Sequence, residues 1–275
     1  MSILSIDQGT SGTKAIVVDD EGRVAALAEV PVHPQYLADG GVEQDPRELL
    51  DSVLAAGRAA VASAGLPIDA VALANQGESV LAWDPESGQP VSTAIVWQDS
   101  RSQSVCDAMA DRRDEIAAQT GLVLDPYFSA PKMRWIRDHL TTAGVVTTSD
   151  TWLVHQLTGE FVTDVTTASR SLVLDIDAAD WSPDLMAAFG LTGERLPRLV
   201  DCDEVVGTTT AFGDEAPVAG LVVDQQSALF AIDRVLAPAV AEQGAADRHL
   251  GVLDRQCAVG VVDRENDFGA TERTL

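Results

Sequence analysis

The residues best suited to do chemistry sit near the N-terminus, in the string Asp7-Gln8-Gly9-Thr10-Ser11-Gly12-Thr13-Lys14. A short apolar run at residues 2–6 precedes it and another at residues 15–18 follows. Gly9 and Gly12 permit tight backbone geometry without a Cβ penalty. Their N–H groups, with the hydroxyls of Thr10, Ser11 and Thr13, can point at phosphate oxygens. Asp7, at the end of its run, can hold a hydrated Mg2+, an ion that keeps most of its waters and needs few carboxylates. Lys14 adds a positive charge beside the same phosphates. No Gly-x4-Gly-Lys-Ser/Thr string occurs, so this is not a Walker loop. The plainer alternative is a Gly-Thr-Ser hairpin with a capping aspartate, and the turn alone leaves both open.

The elements that must position this turn read as strands. Apolar runs at 2–6, 15–18 and 24–32 alternate with tight turns, and Asp19-Asp20-Glu21-Gly22 is a hairpin signal. Three antiparallel strands in a row argue against a dinucleotide-binding opening, where a helix follows the first strand. Asp45 can cap a helix with Pro46 in its first turn. Leu49, Leu50, Val53, Leu54 and Val61 give that helix an apolar stripe ending near Gly65. Residues 68–74 read as a buried strand. Residues 80–83 and 94–97 flank Asp84-Pro85-Glu86-Ser87-Gly88, a second hairpin. A polar amphipathic helix is predicted over 99–119. Further helices are predicted over 129–140 and 150–157, each with a capping residue in front. Residues 163–174 read as turn and strand, and 182–189 as a short helix. This mixture predicts an α/β or α+β class built on a mixed sheet flanked by helices.

Composition bounds the function. The 275 residues suffice for one large domain or two small ones, and 46% hydrophobic content supports a buried core. The chain carries 18 basic against 43 acidic residues, a net charge of −25. Such a surface repels nucleic acid and anionic membranes. It repels nucleotides too, so a phosphate site here must rely on local backbone donors. The only lysines are Lys14 and Lys132; a GC-rich genome is the plainer reading of this, and adaptation to a salty cytosol the alternative. Cys106, Cys202 and Cys257 are odd in number and widely spaced, which suggests neither a zinc site nor a disulfide framework. Asp7 interrupts the first apolar run, against a signal peptide, and no apolar stretch reaches ~18 residues. A cytoplasmic setting is expected.

Several segments, in order, resemble the FGGY family of carbohydrate kinases, and within it most resemble the glycerol kinases. Besides the string from Asp7 to Lys14 they are Asn75-Gln76-Gly77-Glu78, residues 94–101 around Trp97, and residues 121–129 around Tyr127. Asp150-Thr151-Trp152-Leu153, residues 163–170 and Asp224-Gln225-Gln226-Ser227-Ala228-Leu229-Phe230 complete the set. The resemblance spans residues 3–231. It implies an actin-like, ribonuclease-H-like fold and transfer of the γ-phosphate of ATP, with Mg2+, to a hydroxyl of a small polyol or sugar. It makes Asp224 the general base, in reach of the hydroxyl proton as the new bond forms; a helix N-cap is the alternative role for this residue. It places Gln225, Glu78 and Tyr127 on the substrate and makes Trp97 an apolar wall, a plain core tryptophan being the alternative. It puts Asp7, Thr10, Ser11, Gly12, Thr13 and Lys14 at the nucleotide phosphates, with Asp7 at the metal.

Two positions depart from the family pattern. Gly77 stands where glycerol kinases carry an arginine, and Val223 replaces a common glycine before the aspartate. A glycine leaves space that could admit a longer polyol or a sugar. The larger departure is the tail. Residues 1–231 read as the family's N-terminal, substrate-binding domain, whereas residues 232–275 contain no Gly-Thr-Gly turn and no counterpart of a second domain. A frameshift or truncation near residue 231 is one expectation for this tail, and a natural tail the other. Little kinase activity is expected from such a chain alone, and its exposed, partly apolar cleft face should make it prone to aggregation or pairing. A non-catalytic polyol-binding or regulatory module is the alternative function. A filament or chaperone ATPase of the same fold has no use for Glu78, Tyr127 and Asp224-Gln225.

Overall fold

A computed structural model describes residues 1–230. The expectations for residues 232–275 lie outside the described residues. The chain opens with β1 (Ile3–Gln8), β2 (Gly12–Val18) and β3 (Val24–Pro31), each antiparallel to the one before. Two short strands, β4 (Gln35–Tyr36) and β5 (Val42–Gln44), lead into α1 (Pro46–Ala64). Asp45 caps α1 by accepting the Arg47 N–H, and Gly65 ends it in the left-handed region at φ 62°. Then come β6 (Ala70–Asn75), β7 (Val80–Trp83) and β8 (Ala94–Ile95). The helical middle comprises α2 (Gln103–Ala108), α3 (Arg113–Thr120) and α4 (Ser129–His139). After β9 (Val145–Thr148) follow α5 (Ser149–Thr158), β10 (Val162–Asp164) and α6 (Val165–Ser169). The chain continues through β11 (Leu174–Asp175), β12 (Asp180–Trp181) and α7 (Pro183–Ala188). It closes with β13 (Arg198–Val200), β14 (Thr208–Thr209) and β15 (Ala216–Val223), after which residues 224–230 are helical.

The main sheet has the order β14-β15-β6-β1-β2-β3. Within it β1, β6 and β15 are parallel neighbours. The strand period of two sends Leu4, Ile6, Ala15 and Val17 into a core against Leu49, Val53, Ala56 and Ala60 of α1. A second sheet, β4-β5-β8-β7-β9, packs a separate core with Val80 and Ile95 against Phe128, Met133 and Ile136 of the α4 region. Among the described residues no helix is long and apolar enough to cross a membrane.

Three sequence expectations are corrected. The helix foreseen over 99–119 starts only at Gln103 and breaks between α2 and α3. Asp99 is instead a buried clamp: its carboxylate accepts the N–H groups of Val42 (2.8 Å) and Arg101 (2.9 Å), and the bond to Val42 ties it to the segment before α1. Residues 165–169 form α6 rather than strand, because Asp164 caps it through both the N–H groups and the hydroxyls of Thr166 and Thr167. Side-chain caps in front of α4 and α5 are not formed. Neighbouring backbone replaces them: the Ser171 carbonyl accepts the Ala130 N–H and the Ser79 carbonyl accepts the Ser149 N–H, both at 2.9 Å.

Candidate active site

The carboxyl ends of the three parallel strands converge. Register pairs Gln8 with Asn75 and Asn75 with Val223, so Asp7, the 75–78 segment and Asp224 share one edge of the sheet. Crevices outside such strand ends are where open α/β sheets bind ligands. Asp7 and Lys14 face each other across the β1–β2 pair, and both are exposed. The protein around Asp7 removes enough water to hold its carboxyl above the usual carboxylate range, with Lys14 opposing the shift.

The turn between β1 and β2 is tied inward. The Gly9 N–H donates to the Gly12 carbonyl at 3.0 Å, so it is not free for a phosphate. The Thr10 hydroxyl donates to Gln76 Oε1 (3.1 Å) and accepts from Trp97 Nε1 (2.9 Å). Gln44 Nε2 holds the Thr10 carbonyl at 2.7 Å. Gln76 in turn donates to Gln44 (2.9 Å) and Gln8 (3.3 Å). These buried carboxamides lock the turn to β5, β6 and the segment after β8. Thr13 does not join the other turn residues. Its hydroxyl lies under the sheet, 2.6 Å from that of Ser52 on α1, as the alternation Thr13-Ala15-Val17 requires. Ser11 and Lys14 are the turn's outward side chains, and Gly12 keeps the backbone close to the Val30 carbonyl, 3.1 Å from where a Cβ would sit.

The opposite side of the site is charged. Glu78 is buried and sits at φ 61°, in a three-residue turn closed by the Ser79 N–H on the Gly77 carbonyl at 2.8 Å. A non-glycine residue in the left-handed region costs about 1 kcal/mol or more and persists only where its surroundings impose it. Here Arg170 Nε donates to Glu78 Oε1 at 2.6 Å. Burial pushes the Glu78 carboxyl up, and Arg170 and Lys132 pull it down. Tyr127 lies edge-on to Trp97 at 5.5 Å, and its hydroxyl accepts from Gln225 Nε2 at 2.7 Å. Burial also raises the Tyr127 hydroxyl. Asp224 is half-buried. Burial raises its carboxyl, while the N–H groups of Gln225 (2.7 Å to Oδ1) and Gly77 restrain the rise. Asp224 therefore does bond the first N–H of its helical segment, and it also faces the site.

Glu78, Trp97, Tyr127, Asp224 and Gln225 are thus brought together with Asp7, Thr10 and Gly77. The two departures noted in the sequence are in contact. A Cβ at position 77 would lie 2.8 Å from Val223 Cγ2, so one volume serves both positions.

Sequence reasoning assigned no role to Arg170 or Lys132. Lys132 is wholly buried, and its Nζ donates to the carbonyls of Pro126 (2.9 Å), Phe128 (2.8 Å) and Tyr127. It thereby shapes the loop that presents Tyr127. Burial pushes its ammonium down to about 7, against the pull of Glu78 and Asp99. Its rarity was the available signal: it is one of only two lysines in the chain.

The sequence profile of the FGGY family of carbohydrate kinases, N-terminal domain, matches residues 2–231. The glycerol kinase of Leptothrix cholodnii is 42% identical over 245 residues, covering 83% of this chain and 49% of that protein. The glycerol kinase of Alkalilimnicola ehrlichii is 42% identical over 249 residues, with 83% and 50% covered. The crystal structure of Plasmodium falciparum glycerol kinase with ADP superposes with a TM-score of 0.78 at 28% identity, covering 82% of this chain and 49% of that one. The chain spans about half the length of the curated relatives it matches. On the match across residues 2–231 and the similarity to these kinases, this chain belongs to the FGGY family of carbohydrate kinases.

Proposed function

We propose that this chain supplies the acceptor site and the general base for ATP-dependent phosphorylation of a hydroxyl of a small polyol or sugar, as its glycerol kinase relatives are named for. The position of Asp224 carries the reading. It stands between the turn, from which the charge of Asp7 reaches it, and the acceptor cluster, from which the charge of Arg170 reaches it. A carboxylate whose proton affinity is raised by burial is the better acceptor for a hydroxyl proton. Glu78 accepts hydroxyl hydrogens, and Tyr127 and Gln225 can both donate and accept, so adjacent hydroxyls of one substrate find alternating partners. Trp97 and Tyr127 wall the carbon chain. Ser11, Lys14, the Gly12 backbone and the remaining lone pair of Thr10 would meet phosphate oxygens.

Asp7 offers an oxygen donor, and the described residues contain no cluster of three or more metal-binding side chains. That donor set fits a mostly hydrated Mg2+ rather than a closed protein cage. Bound beside Asp7, the ion would neutralise charge on the phosphate oxygens. A cytoplasmic setting follows from ATP as the donor.

One observation favours a second reading, a polyol-binding module without transfer: the Gly9 N–H and the Thr10 hydroxyl are engaged by the protein itself. Calorimetric titration separates the two. The folded chain should bind at least one of glycerol, xylulose or gluconate, and Glu78→Gln should weaken that binding about tenfold or more, equivalent to ~1.4 kcal/mol. ATP with Mg2+ should bind as well. Binding of a polyol without ATP would favour the module. A cooperatively melting chain that takes up none of the three acceptors would defeat both.

A further inference from the structure

No role follows from the sequence for Arg170, yet it lies at the centre of the acceptor cluster. It ends α6, a helix of five residues that is pinned at both ends. At the start, Asp164 binds the N–H groups and hydroxyls of Thr166 and Thr167. At the end, the Arg170 N–H reaches the Thr167 carbonyl at 3.1 Å, and the Ser171 carbonyl accepts from Ala130 of α4 at 2.9 Å. The Arg170 backbone therefore has a fixed place.

Its side chain, 19% exposed, bonds Glu78 Oε1 through Nε. The guanidinium carbon lies 5.0 Å from the centre of the Phe128 ring and 5.7 Å from that of Tyr127. A carboxylate gripped at one oxygen by a planar, charged donor loses its freedom to rotate. The other oxygen, Oε2, takes no part in this bond and becomes an acceptor of fixed direction. The same cation packs on the rings of the loop that carries Tyr127. We propose that Arg170 is the positioning residue of the acceptor pocket: it locks Glu78 so that Oε2 is aimed at substrate hydroxyls, and it sets Tyr127 opposite. The inference rests on the acceptor reading given above for Glu78 and Tyr127.

The groups that act on Glu78 are Arg170 at the end of α6, Lys132 on α4, Asp224 after β15, and Tyr127 in the loop before α4. Arg170 and Lys132 favour the ionised carboxylate, while burial and Asp224 oppose it. Loss of the guanidinium leaves Lys132 alone on the favourable side. Glu78 should then hold its proton to higher pH, and polyol binding should acquire a pH dependence that a merely structural residue would not confer.

The test uses the full 275-residue chain as wild type, Arg170→Met, Arg170→Lys and Glu78→Gln. Glycerol is titrated calorimetrically between about pH 6 and pH 9, a window bracketing the ionisation of a buried carboxyl. At each pH the variants are read against the wild type, whose own affinity should change only as Lys132, pushed down to about 7 by burial, loses its proton. Arg170→Met should bind about tenfold more weakly at the acid end and recover toward the alkaline end, with Arg170→Lys between them. A second measurement needs no ligand. The 13C resonance of the Glu78 carboxyl, assigned by its absence in Glu78→Gln, should titrate at higher pH in Arg170→Met than in wild type. Should Arg170→Met fail to fold, Arg170→Lys carries both measurements. Failure of the wild type to bind any polyol would defeat the acceptor reading, while the carboxyl titration would still decide whether Arg170 governs Glu78. A folded Arg170→Met chain with wild-type affinity, pH profile and carboxyl titration would overturn the proposal.

Discussion

Around the turn at residues 8–12 the side-chain bonds join neutral groups: carboxamides of Gln8, Gln44 and Gln76, the Thr10 hydroxyl and the Trp97 indole. A few residues away, the acceptor cluster gathers Glu78, Arg170, Lys132 and Asp224, opposite charges in a half-dry setting. Neutral amide networks hold backbone in place with little sensitivity to pH or salt. Charged clusters fix the direction of single carboxylates but leave large penalties when one member is lost. The turn is thus a rigid frame with few outward groups, and the acceptor side is a poised one whose shape depends on charge balance.

Lys132 should show the largest consequence of that difference. Its three N–H donors are matched by three carbonyls, so Lys132→Met leaves buried acceptors without partners beside an under-compensated Glu78. The expected loss is about 3 kcal/mol of unfolding free energy in a urea titration. A loss below about 1 kcal/mol would mean that the charge balance described here is not what holds the cluster together.

The first part of the fold was legible because its signals are local. The alternation at Leu4, Ile6, Ala15 and Val17, the Asp19–Gly22 turn and the Asp45-Pro46 start each act within a few residues. The inward side of Thr13 was legible by the same alternation, although its hydroxyl was grouped with the outward ones. The Glu78–Arg170 pair was not legible, since it joins residues 92 apart and exists only once the end of α6 is brought against the turn after β6. Nor was the left-handed backbone at Glu78, because tertiary bonds impose it on a residue with no intrinsic preference for it. The late start of α2 has the same origin: the long-range bond from Val42 to Asp99 keeps residues 99–102 out of the helix, which begins at Gln103.

Gly77 and Val223 test the acceptor side at smaller scale. Gly77→Ala forces a Cβ against the stiff Val223 methyl and should cost about 2 kcal/mol. It should also shift the Gly77 N–H that restrains Asp224. Val223→Ala alone opens a cavity at a fully buried site, at a cost of about 2 kcal/mol. The double substitution should cost less than the two together, with a coupling of about 1 kcal/mol or more. Additive losses would show that the two positions do not share one volume in solution.

The turn should give the smallest change in stability and the more specific change in binding. Lys14 is exposed, opposite Asp7, and its neighbours hold their places through other bonds. Lys14→Met should therefore leave the unfolding free energy within about 0.5 kcal/mol of wild type. On the proposed function it should weaken binding of ATP with Mg2+ about fivefold at low salt, and by less as salt rises, because an exposed charge is screened within a Debye length of ~10 Å at 0.1 M. Glycerol binding should not change, since Arg170 and Lys132, not Lys14, are the cations that act on Glu78. A parallel loss of glycerol affinity would join the two regions energetically, and the carboxamide chain through Gln76 and Trp97 would then be the path along which the turn and the acceptor cluster act as one.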